Sequence, residues 1–181
     1  NIDSFISSKP KDILNADKII LPGVGHFQKA MENLNKLHLI GVLNEMVLVQ
    51  QKPILGICLG MQLMGKTSQE GNIEGFGWID AEVVKFKVSD KLKYKIPHMG
   101  WNQVVKSKES RLMQGVDVLS EFYFVHSFYM KVNNSSDILS KTEYEDWFVS
   151  SIEKNNIFGV QYHPEKSHDS GNILLKNFTY L

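Results

Sequence analysis

Hydrophobic and polar positions in the first half of the chain follow the pattern of an α/β protein. Two short continuous apolar runs, at 18–21 and 53–57, predict buried strands. Between them, apolar residues recur at helical spacing over 27–37 and 39–51, which predicts two amphipathic helices. The order of strand, helices and strand favours a parallel sheet covered by helices.

The second half of the chain changes to strand-like segments separated by polar turns, and a helix is predicted at 171–178. With no repeat and no linker, residues 1–181 are predicted to form a single α/β domain. Its expected architecture is three-layered, with an open, mostly parallel sheet and helices on both faces. Further strands are predicted at 2–6, 78–86, 101–105, 121–129, 138–144, 147–152 and 157–162.

Composition narrows the function classes. Twenty Lys and Arg residues balance twenty Asp and Glu residues, so no charge surplus indicates a nucleic-acid or membrane surface. Cys58 is the only cysteine, which excludes an internal disulfide and a multi-cysteine zinc site and suits a reducing, cytoplasmic compartment. The longest nearly apolar run, 53–65, is too short to span a bilayer. We predict no metal and no cofactor.

Cys58 lies where a buried strand passes directly into a helix. Gly56 and Gly60, two positions away on either side, supply the small residues that a sharp strand–turn–helix needs. Such a turn places the middle side chain at a helix N-terminus, where the dipole and free N–H groups favour a thiolate. The alternative is a buried, inert cysteine, but the flanking glycines favour a nucleophile.

A base for this nucleophile follows the last predicted strand. His163 and Glu165 stand in the segment Gln-Tyr-His-Pro-Glu, and the carboxyl ends of parallel strands gather at one edge of a sheet. Glu165 can accept a hydrogen bond from the far imidazole nitrogen and hold its tautomer. We therefore predict a catalytic triad of Cys58, His163 and Glu165. The alternative for His163 alone is a histidine that lies on the surface or caps a helix.

Acyl transfer at a cysteine also needs donors for an oxyanion. The backbone N–H of Leu59, one residue after the nucleophile, is one natural donor. The Pro-Gly-Val-Gly turn after the first buried strand, at Val24 and Gly25, can present a second N–H group. On these residues alone, a plain turn is an equally good interpretation of that segment.

The segment 60–67 matches the P-loop pattern G-x-x-x-x-G-K-[ST] letter for letter. Its middle residues are Met, Gln, Leu and Met, which suit a helix packed on a core and not a phosphate-binding loop. The residues after Thr67 are polar and punctuated by glycine, whereas a P-loop lysine opens an apolar helix. We predict no nucleotide hydrolysis.

The segments Ile-Leu-Gly-Ile-Cys-Leu-Gly-Met-Gln at 54–62 and Gln-Tyr-His-Pro-Glu-Lys-Ser at 161–167 resemble the class I (triad) glutamine amidotransferases. The resemblance covers essentially the whole chain and implies a flavodoxin-like α/β architecture. It implies a glutaminase in which Cys58 attacks the glutamine amide to form a glutamyl thioester. It also implies that these residues contact the glutamine substrate: Gln62, Glu70, His126 and Ser127.

Three further segments, at 22–25, 97–102 and 123–127, are similar to the glutaminase subunits of imidazole glycerol phosphate synthases. In that group, ammonia passes to a (β/α)8-barrel synthase subunit, which completes the imidazole ring in histidine biosynthesis. The resemblance therefore implies a heterodimer, although core packing is an equally good interpretation of Met99 and Trp101. The residues implied at the interface are Pro97, Met99, Trp101, Tyr123 and Lys166.

Two departures and two alternatives accompany this interpretation. First, the family begins with a central strand and a helix that have no counterpart before residue 2, so we expect a longer polypeptide or a disordered start. Second, Phe128 stands where relatives often have Tyr. One alternative keeps the glutaminase and delivers ammonia to another amidating enzyme, such as one that modifies surface sugars. The other is a non-catalytic scaffold of the same fold.

Overall fold

A computed structural model describes residues 3–181. The helices, α1 to α5, are Pro10–Leu14, Phe27–Lys36, Leu39–Asn44, Leu59–Leu63 and His168–Thr179. A π-helical turn, Glu45–Val49, extends α3, and 3-10 turns occupy Ser135–Asp137 and Pro164–Lys166. The strands, β1 to β12, are Ile19–Gly23, Ile54–Cys58, Thr67–Ser68, Ile73–Glu74, Ala81–Lys85, His98–Gln103, Val105–Lys106, Glu121–His126, Phe128–Val132, Ile138–Tyr144, Asp146–Lys154 and Ile157–Val160.

Most of the strands join in one ten-stranded sheet. Its main path runs β1-β2-β12-β11-β9-β5-β3-β4, and β10 pairs with both β11 and β7. Strands β6 and β8 form a separate two-stranded antiparallel sheet. The three strands that end beside each other, β1, β2 and β12, pair in parallel, with Gly23 opposite Cys58 and Val160 opposite Ile57.

The predicted α/β class is confirmed, but the sheet is mixed and not mostly parallel. Parallel pairing is confined to β1, β2 and β12 and to the short pair β3–β5, whereas β9, β10 and β11 pair antiparallel with their neighbours. Only one residue separates β10 from β11 and two separate β11 from β12, and so short a turn permits only antiparallel pairing. The predicted strand 121–129 is also divided, at Ser127, into β8 and β9.

Hydrophobic cores lie on the two faces of the sheet. One core combines β2 with α2 and α3, through residues such as Ile54, Phe27 and Leu43. The other combines the opposite face of β2 with α5, through residues such as Leu55 and Phe178. Strand β2 is buried along its whole length, which explains its unbroken apolar sequence.

The N-terminal segment differs from its prediction. Residues 3–9 form no helix or strand, and the side chains of Phe5 and Ile6 are exposed. A strand needs a neighbour to satisfy its backbone groups, and none of the described strands pairs with this segment. Ile2, the first residue of the predicted strand, lies outside the described residues. None of the helices within 3–181 is long and apolar enough to cross a membrane.

Candidate active site

Cys58 occupies a strained turn between β2 and α4. Its φ of 52° and ψ of −109° lie outside the regions that L-residues ordinarily adopt. Because it is the last residue of β2 and immediately precedes α4, its backbone reverses direction there. The predicted strand–turn–helix elbow is thus present.

Close backbone packing explains the glycines around this elbow. A Cβ atom at Gly60 would lie 1.8 Å from the carbonyl oxygen of Leu21, and one at Gly56 would lie 2.6 Å from the backbone nitrogen of Met61. Neither contact is sterically possible, so a larger residue would push α4 away from β1 and β2. The glycines therefore fix the position of the turn that carries the cysteine.

The thiol of Cys58 is buried, and burial dominates its acidity. Desolvation raises its pKa to about 11, and the Glu165 carboxylate acts in the same direction. The Leu59 backbone N–H, the Gln161 side chain and the charge of Lys166 lower the pKa, but by less. The Leu59 N–H at the start of α4 thus acts in the predicted direction, but burial outweighs it, so the group is a thiol at neutral pH in the unliganded site.

His163 and Glu165 form the predicted pair in the segment that follows β12, two residues after Gln161, which contacts Cys58 Sγ. Nδ1 of His163 lies 2.7 Å from Oε1 of Glu165, so Nδ1 carries the proton and donates a hydrogen bond to the carboxylate, which leaves Nε2 unprotonated in the neutral ring. The turn is held by Ser167, whose hydroxyl donates to the His163 carbonyl at 2.6 Å and accepts from the Tyr123 N–H at 3.0 Å. Nε2 of His163 is buried and has no hydrogen-bond partner among the described residues. It is therefore available to accept a proton.

Gln161 is a functional candidate that the sequence did not single out. Its side-chain amide donates to Cys58 Sγ at 3.6 Å, and its Oε1 accepts from Gln62 Nε2 at 2.9 Å. Gln62 also donates to the carbonyl oxygen of Phe128 at 2.9 Å. The position of Gln161, two residues before His163 at the end of a buried strand, is the only sequence signal that could have indicated it.

The predicted oxyanion residues lie around a cavity of about 340 Å³ that Val24, Gly25 and Leu59 line together. Val24 is 79% exposed, and Gly25 has a φ of 103°, which glycine adopts without strain. The N–H of Leu59 interacts with Cys58 and lowers its pKa. The turn at 22–25 thus adjoins the elbow, and its role as an oxyanion hole stays a prediction.

Of the residues predicted to contact substrate, Gln62, His126 and Ser127 lie near one another around Phe128, whereas Glu70 contacts the start of α2. Gln62 and His126 are buried near the elbow, and Ser127 is half-buried between β8 and β9. Glu70 accepts the Phe27 N–H at 2.7 Å, which caps the N-terminus of α2. A carboxylate there stabilises α2, and this contact gives Glu70 a structural role that the sequence did not indicate.

The predicted interface residues lie together on one exposed surface. Trp101 and Tyr123 face each other across β6 and β8, with ring centroids 6.0 Å apart, and Lys166 Nζ lies 5.6 Å from the Tyr123 ring centroid. Trp101 also stacks on His168 at 4.9 Å. Met99 is 61% exposed and Trp101 43% exposed, so a surface role and not core packing fits these two side chains.

The segment 60–67, which matches the P-loop pattern, does not form a phosphate-binding loop. Its first half forms helix α4, which is buried throughout, and Lys66 pairs with Asp80 at 2.8 Å. Within residues 3–181, no group of three or more His, Cys, Asp and Glu side chains is placed to hold a metal ion.

Comparison with curated proteins finds close relatives along nearly the whole chain. It is 52% identical over 179 residues to "Imidazole glycerol phosphate synthase subunit HisH 1" of Campylobacter jejuni (strain RM1221), which covers 98% of this chain and 88% of that protein. It is 49% identical over 176 residues to "Imidazole glycerol phosphate synthase subunit HisH 2" of Methanococcus maripaludis, which covers 97% of this chain and 86% of that protein.

Solved structures agree at the level of the fold. A crystal structure described as a glutamine amidotransferase matches with a TM-score of 0.73 and 12% identity, over 98% of this chain and 87% of that chain. The structure of PurLQS from Thermotoga maritima matches with a TM-score of 0.64 and 13% identity, over 92% of this chain and 80% of that chain. A family model described as "Glutamine amidotransferase class-I" matches residues 3–180. The chain therefore belongs to the class-I glutamine amidotransferases.

Proposed function

We propose that this chain is the glutaminase subunit of an imidazole glycerol phosphate synthase. It hydrolyses glutamine to glutamate and ammonia and supplies the ammonia to a synthase subunit in histidine biosynthesis. Relatives of that name at 49–52% identity support the assignment. The observation that carries the chemistry is the buried Nε2 of His163, which has no hydrogen-bond partner among the described residues and whose other nitrogen is held by Glu165. It lies in the same short segment as Gln161, which donates to the cysteine on the strained elbow.

Acylation begins with Cys58 as a neutral thiol, because burial holds its pKa near 11. As Sγ attacks the glutamine side-chain amide carbon, Nε2 of His163 takes the thiol proton. The N–H of Leu59, together with the turn at Val24 and Gly25, stabilises the charge that develops on the amide oxygen. His163 then returns the proton to the departing nitrogen, which leaves as ammonia, and a glutamyl thioester remains on Cys58.

Deacylation uses the same imidazole, which now takes its proton from water and returns it to Cys58. With ammonia gone, Nε2 of His163 removes a proton from water, which attacks the thioester carbon. The carbon–sulfur bond breaks, Cys58 regains a proton and glutamate is released. Glu165 accepts a hydrogen bond from Nδ1–H throughout, so the imidazolium that forms in each step is stabilised without movement of the ring.

The partner in this proposal is a (β/α)8-barrel synthase subunit that forms a heterodimer with this chain. It docks on the exposed face that contains Met99, Trp101, Tyr123 and Lys166, with Pro97 at its edge. Exposed Trp and Met side chains are typical of the centre of protein–protein interfaces. We place the enzyme in the cytoplasm, where a single catalytic thiol stays reduced.

A direct test measures glutamate and ammonia released from glutamine by the chain alone and by its complex with the barrel synthase in the presence of the synthase's nucleotide substrate. We expect weak turnover alone, strong stimulation by the partner, and loss of turnover in C58A and C58S. Intact-mass analysis of the wild type during turnover should detect a glutamyl adduct on the chain.

Turnover that survives C58A would overturn the mechanism. Turnover that the barrel synthase fails to stimulate would support delivery of ammonia to a different acceptor. A folded chain with no turnover and no adduct in the complex would identify a non-catalytic scaffold.

A further inference from the structure

Two buried histidines outside the triad face each other across the two-stranded sheet. His98 on β6 pairs with His126 on β8, and Nδ1 of His98 lies 3.0 Å from Nε2 of His126. Their exposed fractions are 3% and 6%. Burial lowers the pKa of His98 to about 4 and that of His126 to about 3, so both rings are neutral at neutral pH. In the hydrogen bond between the two facing nitrogens, one nitrogen therefore carries the proton and the other accepts it.

The other contacts of the two rings determine which nitrogen carries that proton. Nδ1 of His126 lies 2.8 Å from the carbonyl oxygen of Phe128, which can only accept, so Nδ1 is protonated and Nε2 accepts from His98. Nε2 of His98 is then an acceptor, and the Asn102 amide nitrogen lies 3.3 Å away. Asn102 is oriented because its Oδ1 accepts the Gln103 N–H at 2.8 Å.

The Phe128 carbonyl joins this relay to the nucleophile. It accepts from His126 Nδ1 at 2.8 Å and from Gln62 Nε2 at 2.9 Å, so two donors hold it. Gln62 in turn holds Gln161, which donates to Cys58 Sγ. A continuous series of hydrogen bonds, each with one permitted direction, therefore runs from β6 to the reactive sulfur.

Strand β6 has two different faces. Met99 and Trp101 project from the exposed face, whereas His98 and Asn102 project from the opposite face towards the interior. Any shift of β6 that accompanies contact with its exposed face therefore displaces His98 relative to His126.

We propose that His98 is a positioning residue that couples the exposed face of β6 to Cys58, by donating to Nε2 of His126 and so holding that ring where its Nδ1–H reaches the Phe128 carbonyl. The regulatory half of this inference rests on the proposed function, because it requires a partner that docks on Met99 and Trp101. The relay itself is a property of this chain and can be tested separately.

Two substitutions at His98 separate its packing from its hydrogen bond. H98F keeps a ring against Phe124 and Tyr144, whose centroids lie 4.8 and 4.1 Å from that of His98, but it removes both nitrogens. H98N places an amide donor where Nδ1 lies and restores the bond to His126. Y144F is the matched control, since it alters a neighbour in the same aromatic cluster by removing the Tyr144 hydrogen bond to Lys95 at 2.7 Å.

Nitrogen-15 NMR of the histidine side chains tests the relay without reference to catalysis. In the wild type, both His98 and His126 should carry their proton on Nδ1. In H98F, His126 should keep its proton on Nδ1, because the Phe128 carbonyl still accepts it, but its Nε2 signal should shift towards that of an unprotonated nitrogen without a hydrogen bond. The Gln62 amide protons should exchange faster in H98F, and H98N and Y144F should retain the wild-type pattern. A wild type with Nε2-protonated His126, or an H98F in which the His126 Nε2 signal and the Gln62 amide exchange are both unchanged, would overturn the proposal.

Kinetics of the complex test the coupling. We expect the ratio of partner-stimulated to basal glutamine turnover to fall about tenfold in H98F, within the usual range of allosteric coupling, and to recover in H98N. The same ratio in H98F as in Y144F and wild type would overturn the coupling. A wild-type complex that hydrolyses no glutamine would overturn the proposed function instead, while the NMR result would still decide the relay.

Discussion

The side-chain amide of Gln161 donates a hydrogen bond to Sγ of Cys58 at 3.6 Å. This contact opposes the effect of burial, since it lowers the pKa of a thiol that desolvation raises. Gln161 precedes His163 by two residues, so one short segment at the end of β12 carries both a donor to the nucleophile and its base.

Replacement of Gln161 by Glu should slow acylation. Q161E keeps an oxygen for the Gln62 amide, but it replaces the donor to Cys58 with a second acceptor and brings a negative charge near the sulfur. A hydrogen bond to a charged group contributes about 1.5–3 kcal/mol, so we expect kcat/KM for glutamine to fall about 10- to 100-fold. Q114E, the same change at an exposed position, should match the wild type, and equal rates for the two variants would contradict this role.

Alkylation of Cys58 by iodoacetamide should be slow at neutral pH and rise with pH well beyond the range of an ordinary thiol. With a pKa of about 11, only about one site in 10⁴ is a thiolate at pH 7, and the rate should rise about tenfold per pH unit up to pH 10. The chain has one cysteine, so the mass of the product reports this site alone. A rate that is already half-maximal near pH 8.5, as expected for the urea-unfolded chain, would show that burial does not control the thiol.

Substitution of Glu165 tests whether the carboxylate orients His163. E165Q can donate an amide proton to Nδ1, which would force the imidazole into the tautomer that cannot accept from Cys58. We expect kcat to fall about 100-fold or more, with a smaller loss in E165A, which leaves the tautomer free. Thermal unfolding should change little because the Glu165 side chain is 47% exposed. An E165Q enzyme faster than E165A would refute this assignment.

Two glycine-to-alanine substitutions should have opposite effects on stability. At Gly60, a methyl group would meet the Leu21 carbonyl oxygen at 1.8 Å, so we expect G60A to lose at least about 3 kcal/mol in the free energy of unfolding. Gly41 lies in α3 with open space around the added carbon, so G41A should gain about 0.5–1 kcal/mol. Urea denaturation measures both values. A G60A variant as stable as G41A would show that the elbow can relax.

The sequence by itself determined the features that depend on neighbouring residues. Small residues around Cys58 encode the sharp turn, the apolar run of β2 encodes a buried strand, and His163 with Glu165 two residues later encodes a pair that contacts locally. The element order also predicted that Cys58 and His163 follow strands whose carboxyl ends gather at one edge of a parallel sheet; the tertiary structure makes those strands, β2 and β12, direct neighbours.

Only the tertiary structure decided the features that depend on residues far apart in the chain. Antiparallel pairing of the later strands, the cap that Glu70 provides for α2, and the path from His98 through His126 to Gln161 all join distant segments. The acidity of Cys58 also belongs to this group, because a helix N-terminus is a local feature whereas desolvation depends on everything packed around the sulfur. Local patterns therefore identify the reacting groups, and long-range packing sets their protonation and position.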